Sequence, residues 1–457
     1  MADGGGASVN RPRVARAHPI VQSFAGILDH RLERARDAPL VVAFSGGGDS
    51  LALLLLARLW AGQNARRLIA VTVDHGLQAA SAPWARWCRR RTQALGLEHL
   101  TLAWGGERPS SGLAAAARAA RHGLLADAAR GLGAGVILMG HTADDCLEAA
   151  EMRARGSRVP TPREWAPSPV WPQGRGIFVL RPLLGARRAE LRAFLTMRGE
   201  SWIEDPANAD QAHSRSRARR ALAGGDGEPA AQSERPDARR LMAALREEPG
   251  GELSLAAQAL DDAQGPASRA FVSAAVVCAS GGDRPPRGEA LDRLMRTLAL
   301  RRDFVTNLGG ARVQSQDGVV RFAREAGDMK REGVAAQSAP VGGERVWDGR
   351  FALQARVSGM SVRPLDGVAL RLCPGERSAL SKASPAARRA LPAVVDAGGR
   401  VTCPILAVDR RVQARSLIVP RMAAALGVVQ TEAAIGRVAE DRRGAYMQGS
   451  RGEKASR

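Results

Sequence analysis

The stretch Leu40-Val-Val-Ala-Phe44-Ser45-Gly46-Gly47-Gly48-Asp49-Ser50 decides the fold class. An apolar run from Leu40 to Phe44 with no polar interruption reads as a strand buried on both faces. Such strands belong to parallel sheets covered by helices. A glycine turn follows, and then the apolar run Leu51 to Ala57, read as a helix reaching about Trp60. Glycines let the backbone approach a ligand closely and adopt positive φ. The free N–H groups and positive dipole end of the helix, with the hydroxyls of Ser45 and Ser50, complete an anion cradle. The loop lacks the Gly-Lys-Ser/Thr ending of a Walker A loop and does not fit GxGxxG. A glycine turn alone is often only a tight turn. At the carboxyl end of a parallel strand, where open α/β sheets bind ligands, it reads as a nucleotide-phosphate site.

Working outward, strands and helices alternate. Leu68–Val73 is a strand ending at Asp74-His75-Gly76, Trp84–Leu95 a helix, Leu97–Trp104 a strand and Leu113–Leu132 a long helix. Gly135–Met139 is a strand ending at Gly140-His141, and Ile177–Leu180 and Arg187–Arg198 are a further strand and helix. The pattern predicts an α/β, doubly wound parallel sheet over residues 21–220. Between Arg158 and Arg175 the prolines require a long loop. Ala223–Pro236 reads as a linker. Arg239–Ala263 and Arg287–Leu300 have helical character, which suggests a mainly helical second domain over 237–335. Short strands at Leu308-Gly-Gly, Val319–Phe322 and Phe351–Val357 precede a small α+β C-terminal module over 340–420. Residues 1–20 and 421–457 read as flexible ends. A chain of 457 residues has room for about three domains.

Charge is the unusual feature of the composition. Lys+Arg 67 against Asp+Glu 46 gives +21, which favours a polyanionic partner, nucleic acid first, over a merely Arg-preferring composition. Aromatics are only 4%, with Tyr446 the single tyrosine, so base-stacking on an aromatic sheet is disfavoured and phosphate contacts by Arg are expected. Cys88, Cys146, Cys278, Cys373 and Cys403 form no CxxC pair, which argues against a zinc site or redox dithiol and for reduced thiols in the cytoplasm. Met1–Arg16 has no apolar core of a secretory signal, and Leu51–Ala57 is far short of the ~20 residues that span a bilayer, so no membrane association is expected.

The SGGGDS loop after VVAF resembles the SGGxDS loop of the PP-loop ATP pyrophosphatases, which cleave ATP between its α- and β-phosphates. An ordered series of further stretches is similar to the bacterial tRNA(Ile)-lysidine synthases. They are Val73-Asp74-His75-Gly76-Leu77, Ala117-Arg118-Ala-Ala-Arg121-His122 and Gly140-His141-Thr-Ala-Asp144-Asp145-Cys-Leu-Glu148. Arg155-Gly156-Ser157, Arg181-Pro182-Leu183-Leu184, Glu204-Asp205-Pro206-Ala-Asn208-Ala-Asp210 and Arg215-Ser-Arg217-Ala-Arg219 complete the series. The resemblance covers residues 40–220 and implies an ATP-dependent ligase. In that reaction ATP adenylates the C2 oxygen of the wobble cytidine of CAU-anticodon tRNA(Ile), and the ε-amine of L-lysine then displaces AMP at C2 to leave lysidine. Departures are Cys146 where Gln is usual, Ala149 for Thr, His122 for Tyr, and a Pro/Trp loop through Trp165 and Trp171 in place of a Gly-rich segment.

The expected site follows. Ser45, Gly46, Gly47, Gly48, Asp49 and Ser50 cradle pyrophosphate; Asp49 would hold Mg²⁺, which takes few carboxylates and bridges phosphates, though a helix N-terminus favours an Asp anyway. Asp74 and His75 suit the adenosine side, with an Asx turn as the bland rival for Asp74. Asp145 and Glu148 lie three apart, on one helical face. That pair could hold an ammonium and accept its proton, and the resemblance assigns both to lysine and lets Arg118 meet its carboxylate. Asp144 reads equally as a helix N-cap. His141 would touch phosphate or act as an acid, or be structural. Arg215, Arg217 and Arg219 look like a tRNA-backbone contact or a solvated face. A rival 2-thiolating enzyme of the same type would want paired cysteines, and a basic RNA-binding protein with an inactive ATP fold would not need these carboxylates. The oligomeric state stays open, a homodimer included.

Overall fold

The structure is a computed structural model describing residues 18–106, 108–157, 159–205, 214–222, 235–260 and 265–437. The chain forms two compact units: residues 1–233 with 429–457, and residues 234–428.

The first unit begins with α1 (Pro19–Arg31) and continues β1 (Leu40–Ala43), α2 (Gly48–Gln63), β2 (Leu68–Asp74), α3 (Ser81–Ala94), β3 (Glu98–Ala103), α4 (Leu113–Gly131), β4 (Val136–Leu138) and α5 (Ala143–Ala154). Then come β5 (Trp165–Pro167), β6 (Phe178–Leu180), α6 (Arg188–Met197) and α7 (Ser214–Ala221). The sheet order is β3-β2-β1-β4-β6-β5. All pairs are parallel except β5–β6, which is antiparallel. Leu40 pairs with Leu68 and Val41 with Ile137, so β1 lies between β2 and β4. Strand order reverses at β1/β4, and ligands of such sheets bind at the carboxyl ends of the strands there. The apolar run in α2 is explained by its depth: Leu51 to Ala57 are all buried.

The Pro-rich segment is not wholly a loop. Its residues 165–167 form the edge strand, a position where Pro167 costs no central ladder bond. Trp165 is buried, stacks on Phe178 at 5.0 Å and donates its indole N–H to the Val429 carbonyl at 2.8 Å.

The second unit corrects the mainly helical expectation for 237–335. Helices are present as α8 (Arg239–Ala244), α9 (Pro266–Ser280) and α10 (Gly288–Ala299). They accompany a five-stranded antiparallel sheet made of β7 (Arg246–Glu248), β8 (Glu252–Ala256), β9 (Phe304–Leu308), β10 (Ala311–Gln316) and β11 (Val319–Arg324). The expected helix over Arg239–Ala263 ends at Ala244, because Gly250 and Gly251 both take positive φ (105° and 71°) and turn the chain into the β7–β8 hairpin. Between Gln337 and Ser416 the chain forms antiparallel sheets of four and three strands. One apolar cluster, running from Ala238 to Leu426 and including Phe271, Phe322, Trp347 and Phe351, serves both segments. They therefore share a single core instead of forming separate domains.

Nor do residues 421–437 form a loose tail. A helix covers Ile418–Ala425, and the chain then returns to the first unit. There Glu432 accepts Arg66 Nη1 and Nη2 at 3.0 and 3.1 Å in a two-pronged pair, and the backbone N–H of Glu33 at 3.0 Å. The side chains of Arg66 and Glu432 are 0% and 2% exposed. Glu432→Ala would leave a buried guanidinium without its counter-charge, a loss of about 3–5 kcal/mol. The thermal midpoint of the first unit is expected to fall by roughly 10 °C, read by circular dichroism; an unchanged midpoint would remove this pair from the contacts that stabilise the fold. Of the ends read as flexible (1–20 and 421–457) and the linker read at 223–236, residues 1–17, 438–457 and 223–234 lie outside the described residues, as do Asn208, Asp210 and His213, while Pro19 and Ile20 already belong to α1. No helix among the described residues is long and apolar enough to cross a membrane.

Candidate functional site

The site lies where the ends of β1 and β4 meet the starts of α2, α5 and α6. Gly47 is the N-cap of α2, and Asp49 sits in its first turn. The loop is braced from within. Ser45 N–H and Ser45 Oγ both donate to Ser50 Oγ, at 3.3 and 3.1 Å, and Ser50 Oγ donates to the Gly47 carbonyl at 2.8 Å. Gly46 has φ +85°, and its carbonyl accepts the Ile203 N–H at 2.9 Å. The first-turn N–H groups of α2 have no intrahelical acceptor by construction, so they remain for an anion. Gly140 closes β4 against this loop. A Cβ there would stand 3.0 Å from the Asp49 carbonyl oxygen and 3.3 Å from Ser50 Cα.

Asp74 and His75 end β2. Asp74 Oδ1 accepts the Gly76 N–H at 2.8 Å, so the turn-capping role is realised. His75 stands edge-on to Trp104 at 6.1 Å, and its Nδ1 is buried without a partner. Burial and the Arg121 charge lower its pKa against the pull of Asp74.

The lysine-side residues converge at the start of α5. Its N-cap is Thr142. Thr142 N–H and Oγ both donate to Asp145 Oδ2, at 2.8 and 3.1 Å. Asp145 therefore caps its own helix with one oxygen, while Oδ1 faces Arg215 Nη2 at 3.8 Å. Asp144 is not the cap; it accepts the Arg188 backbone N–H at 2.7 Å. Glu148, one turn on, has its side chain 2% exposed. Its Oε1 accepts Arg219 Nε at 2.8 Å and Arg188 Nη1 at 3.3 Å, and its Oε2 is buried without a partner.

Arg188 is the residue that sequence reasoning missed. From the first position of α6 it donates Nε to Asp49 Oδ2 at 3.1 Å and reaches Asp145 Oδ2 at 4.0 Å. It thus spans the loop carboxylate and the α5 pair. Burial disfavours its charge, but Asp49, Glu148 and Asp145 outweigh that and raise its pKa. Burial in turn pushes the Asp49 carboxyl up, against the lowering by Arg188. The only available signal was its place after the Arg181-Pro-Leu-Leu stretch at a predicted helix start, which does not distinguish it from Arg187.

His141 is buried, and its Nδ1 accepts Arg181 Nε at 3.3 Å, so the Nε2 carries the proton. Burial first, and then Arg181, Arg118, Arg121 and Arg215, hold its pKa well below the ordinary value. It is a neutral N–H donor at physiological pH, which favours the phosphate-contact role over an imidazolium acid. Arg118 lies exposed on α4, within electrostatic reach of Asp145 and Arg215. Of the four arginines on α7, Arg215 and Arg219 turn toward the carboxylates, and Arg217 and Arg220 are exposed.

Residues 20–224 match the PP-loop domain family. Beyond that segment, the tRNA(Ile)-lysidine synthase of Caulobacter vibrioides is 42% identical over 411 residues, which cover 89% of this chain and 97% of that protein. This chain belongs to the tRNA(Ile)-lysidine synthase family. Two more lysidine synthases are similar over most of their length. That of Hyphomonas neptunium is 36% identical, covering 70% of this chain and 90% of its own, and that of Ruegeria pomeroyi is 35% identical, covering 74% and 82%. The Cys146 departure in this lysidine synthase family member is quiet: the thiol is buried, and burial with the Asp145 charge raises its pKa.

Proposed function

We propose that the chain is the ATP-dependent ligase that converts the wobble cytidine of CAU-anticodon tRNA(Ile) to lysidine. The observation that carries this reading is Glu148: a buried carboxylate beside Asp145, with one oxygen lacking a partner, next to a braced phosphate loop. A buried charge of this kind calls for a cation, and the lysine ε-ammonium is one.

In the first step the cytidine O2 attacks the α-phosphorus. An O–P bond forms, the bond to the β-phosphate's bridging oxygen breaks, and pyrophosphate leaves with the electron pair. No protein nucleophile is needed, and the Ser45–Ser50 loop binds and orients the leaving group. Asp49 is one carboxylate at a helix start beside that loop, and the described residues include no cluster of three or more His, Cys, Asp or Glu fit to hold a metal. That suits Mg²⁺ carried in by ATP, which takes one or two carboxylates and the phosphates. When bound, the ion neutralises phosphate charge. His141 offers its Nε2–H to phosphate. In the second step Asp145 and Glu148 hold the ammonium, Glu148 Oε2 accepts one proton, and the freed amine forms the C–N bond at C2. The C2–O bond breaks and AMP leaves. Arg118 is assigned to the lysine carboxylate, and Arg217 with the basic surface to the tRNA backbone.

The 2-thiolase reading has less support. Cys88, Cys278 and Cys403 are buried thiols pushed up to about 11, 12 and 12 by burial, far from thiolate chemistry. We assign the chain to the cytoplasm, and light scattering of the full chain distinguishes a homodimer from a monomer. The deciding experiment is incorporation of labelled lysine into unmodified tRNA(Ile) with a CAU anticodon. ATP-dependent label on that tRNA and not on methionine tRNA is the expected result. Pyrophosphate release without label would keep adenylation and overturn lysine as the nucleophile.

A further inference from the structure

The carboxylate set is already neutralised by the chain itself. Asp49, Asp145 and Glu148 face Arg188, Arg215 and Arg219, three negative charges against three positive. Arg118 and Arg121 add further positive charge within electrostatic reach of Asp145, so a lysine ammonium arriving at Glu148 and Asp145 meets carboxylates already countered and binds better if one guanidinium leaves. The three are not equally held. Arg188 is 16% exposed, and its backbone N–H is pinned to Asp144. Arg215 and Arg219 reach in from the solvent side and are 40% and 39% exposed. They lie four apart on α7, hence on one face, with Arg217 exposed between them.

The geometry points to Arg219 as the occupant of the substrate-ammonium position on Glu148, withdrawn when the phosphates of a bound RNA take the guanidinium groups of α7, so that lysine binds well only after tRNA. This rests on the proposed function and names how its lysine site is regulated. Arg219 Nε sits 2.8 Å from Glu148 Oε1, the contact distance of a charge-assisted hydrogen bond and so the place an ammonium would take. The Arg219 side of the pair is open to solvent, so the phosphates of a bound RNA can compete for its guanidinium, and the arriving ammonium replaces the counter-charge that buried Glu148 would otherwise lose. Glu148 Oε2 has no partner in this arrangement, so Arg219 satisfies the carboxylate incompletely, and an ammonium, with three donors to the single bond made by Arg219, would do better. Withdrawing Arg219 leaves Arg188 on Glu148 and Asp49, so the carboxylates keep one fixed counter-charge while the substrate supplies the other. The order has a chemical benefit: lysine is admitted only where an RNA is present to be modified.

The test is equilibrium dialysis of labelled lysine with the full chain in the absence of ATP. Unmodified tRNA(Ile) is expected to tighten lysine binding by about fivefold or more, the equivalent of ~1 kcal/mol. Arg219→Gln is expected to bind lysine that tightly without RNA and to gain nothing from adding it. Arg219→Lys should restore the RNA dependence in part. Lysine affinity that is the same with and without tRNA, or the same in Arg219→Gln as in the unaltered chain, would overturn the inference. That failure is distinct from failure of the function, which shows instead as no lysine incorporated by the unaltered chain with ATP.

Discussion

Glu148→Gln is expected to lower lysine transfer by about 10²–10⁴-fold, the range for loss of a positioned proton acceptor, while pyrophosphate release on tRNA(Ile) continues. The substitution keeps the shape of a side chain that is 2% exposed, so packing is hardly disturbed. What changes is charge and basicity. An amide cannot take a proton from the ε-ammonium, and an amine that stays protonated has no lone pair with which to attack C2. The amide also leaves Arg188 and Arg219 without the charge they now share. Asp145→Asn should act in the same direction. Its retained amide oxygen can still accept from Thr142, so α5 keeps its cap. The measurement separates the half-reactions: labelled pyrophosphate from ATP, and labelled lysine on tRNA. Equal loss of both would assign Glu148 to the fold of the site instead of to the lysine step, and unchanged lysine incorporation would remove it from the chemistry.

The second large effect is expected at Gly140. Gly140 is not in the left-handed region, and the constraint is space. A Cβ would meet backbone, the Asp49 carbonyl oxygen at 3.0 Å and carbon at 3.2 Å, which cannot swing aside as a side-chain tip can. Gly140→Val adds two methyl groups with a stiff χ1, so β4 and the start of α2 must separate. That displaces Asp49 and Ser50 on one side and His141 on the other, the residues to which the proposed function gives the nucleotide. Misplacement on the order of 1 Å costs roughly 10²-fold, so pyrophosphate release should fall by about that factor and lysine transfer with it. Gly140→Ala, which needs a shift of only tenths of an ångström, should lose less. Full adenylation in Gly140→Val would show that the β4–α2 contact does not position the loop.

What could be read in the chain alone was local. The run Leu40–Phe44 ahead of three glycines specified a buried parallel strand feeding an anion-binding helix start, because uninterrupted apolar residues and a close backbone turn have few other solutions. The i, i+3 spacing put Asp145 and Glu148 on one face of a helix for the same reason. Where local signals compete, the chain follows the stronger one. Helical-looking residues from Arg239 onward gave way to a hairpin at Pro249-Gly250-Gly251, where two successive positive-φ glycines override a weak periodicity. The Pro-rich segment concealed an edge strand, since an edge tolerates a residue that cannot complete its ladder.

Long-range pairing was a matter for the tertiary structure alone. Nothing around Glu432 announces burial, because what makes it stable inside is Arg66, 366 residues away. Nothing around Arg188 separates it from the many other arginines of a strongly basic chain. Its role depends on a strand order that carries Asp49, Asp145 and Glu148 to one point. The basic run on α7 could be seen, but not that two of its four guanidinium groups face carboxylates. Residue type and spacing determine which chemistry a segment can offer, because those are properties of a single turn of chain. Which charge meets which depends on how the sheet orders its strands, and in a low-dielectric site that meeting decides whether a carboxylate is open to a substrate or already held.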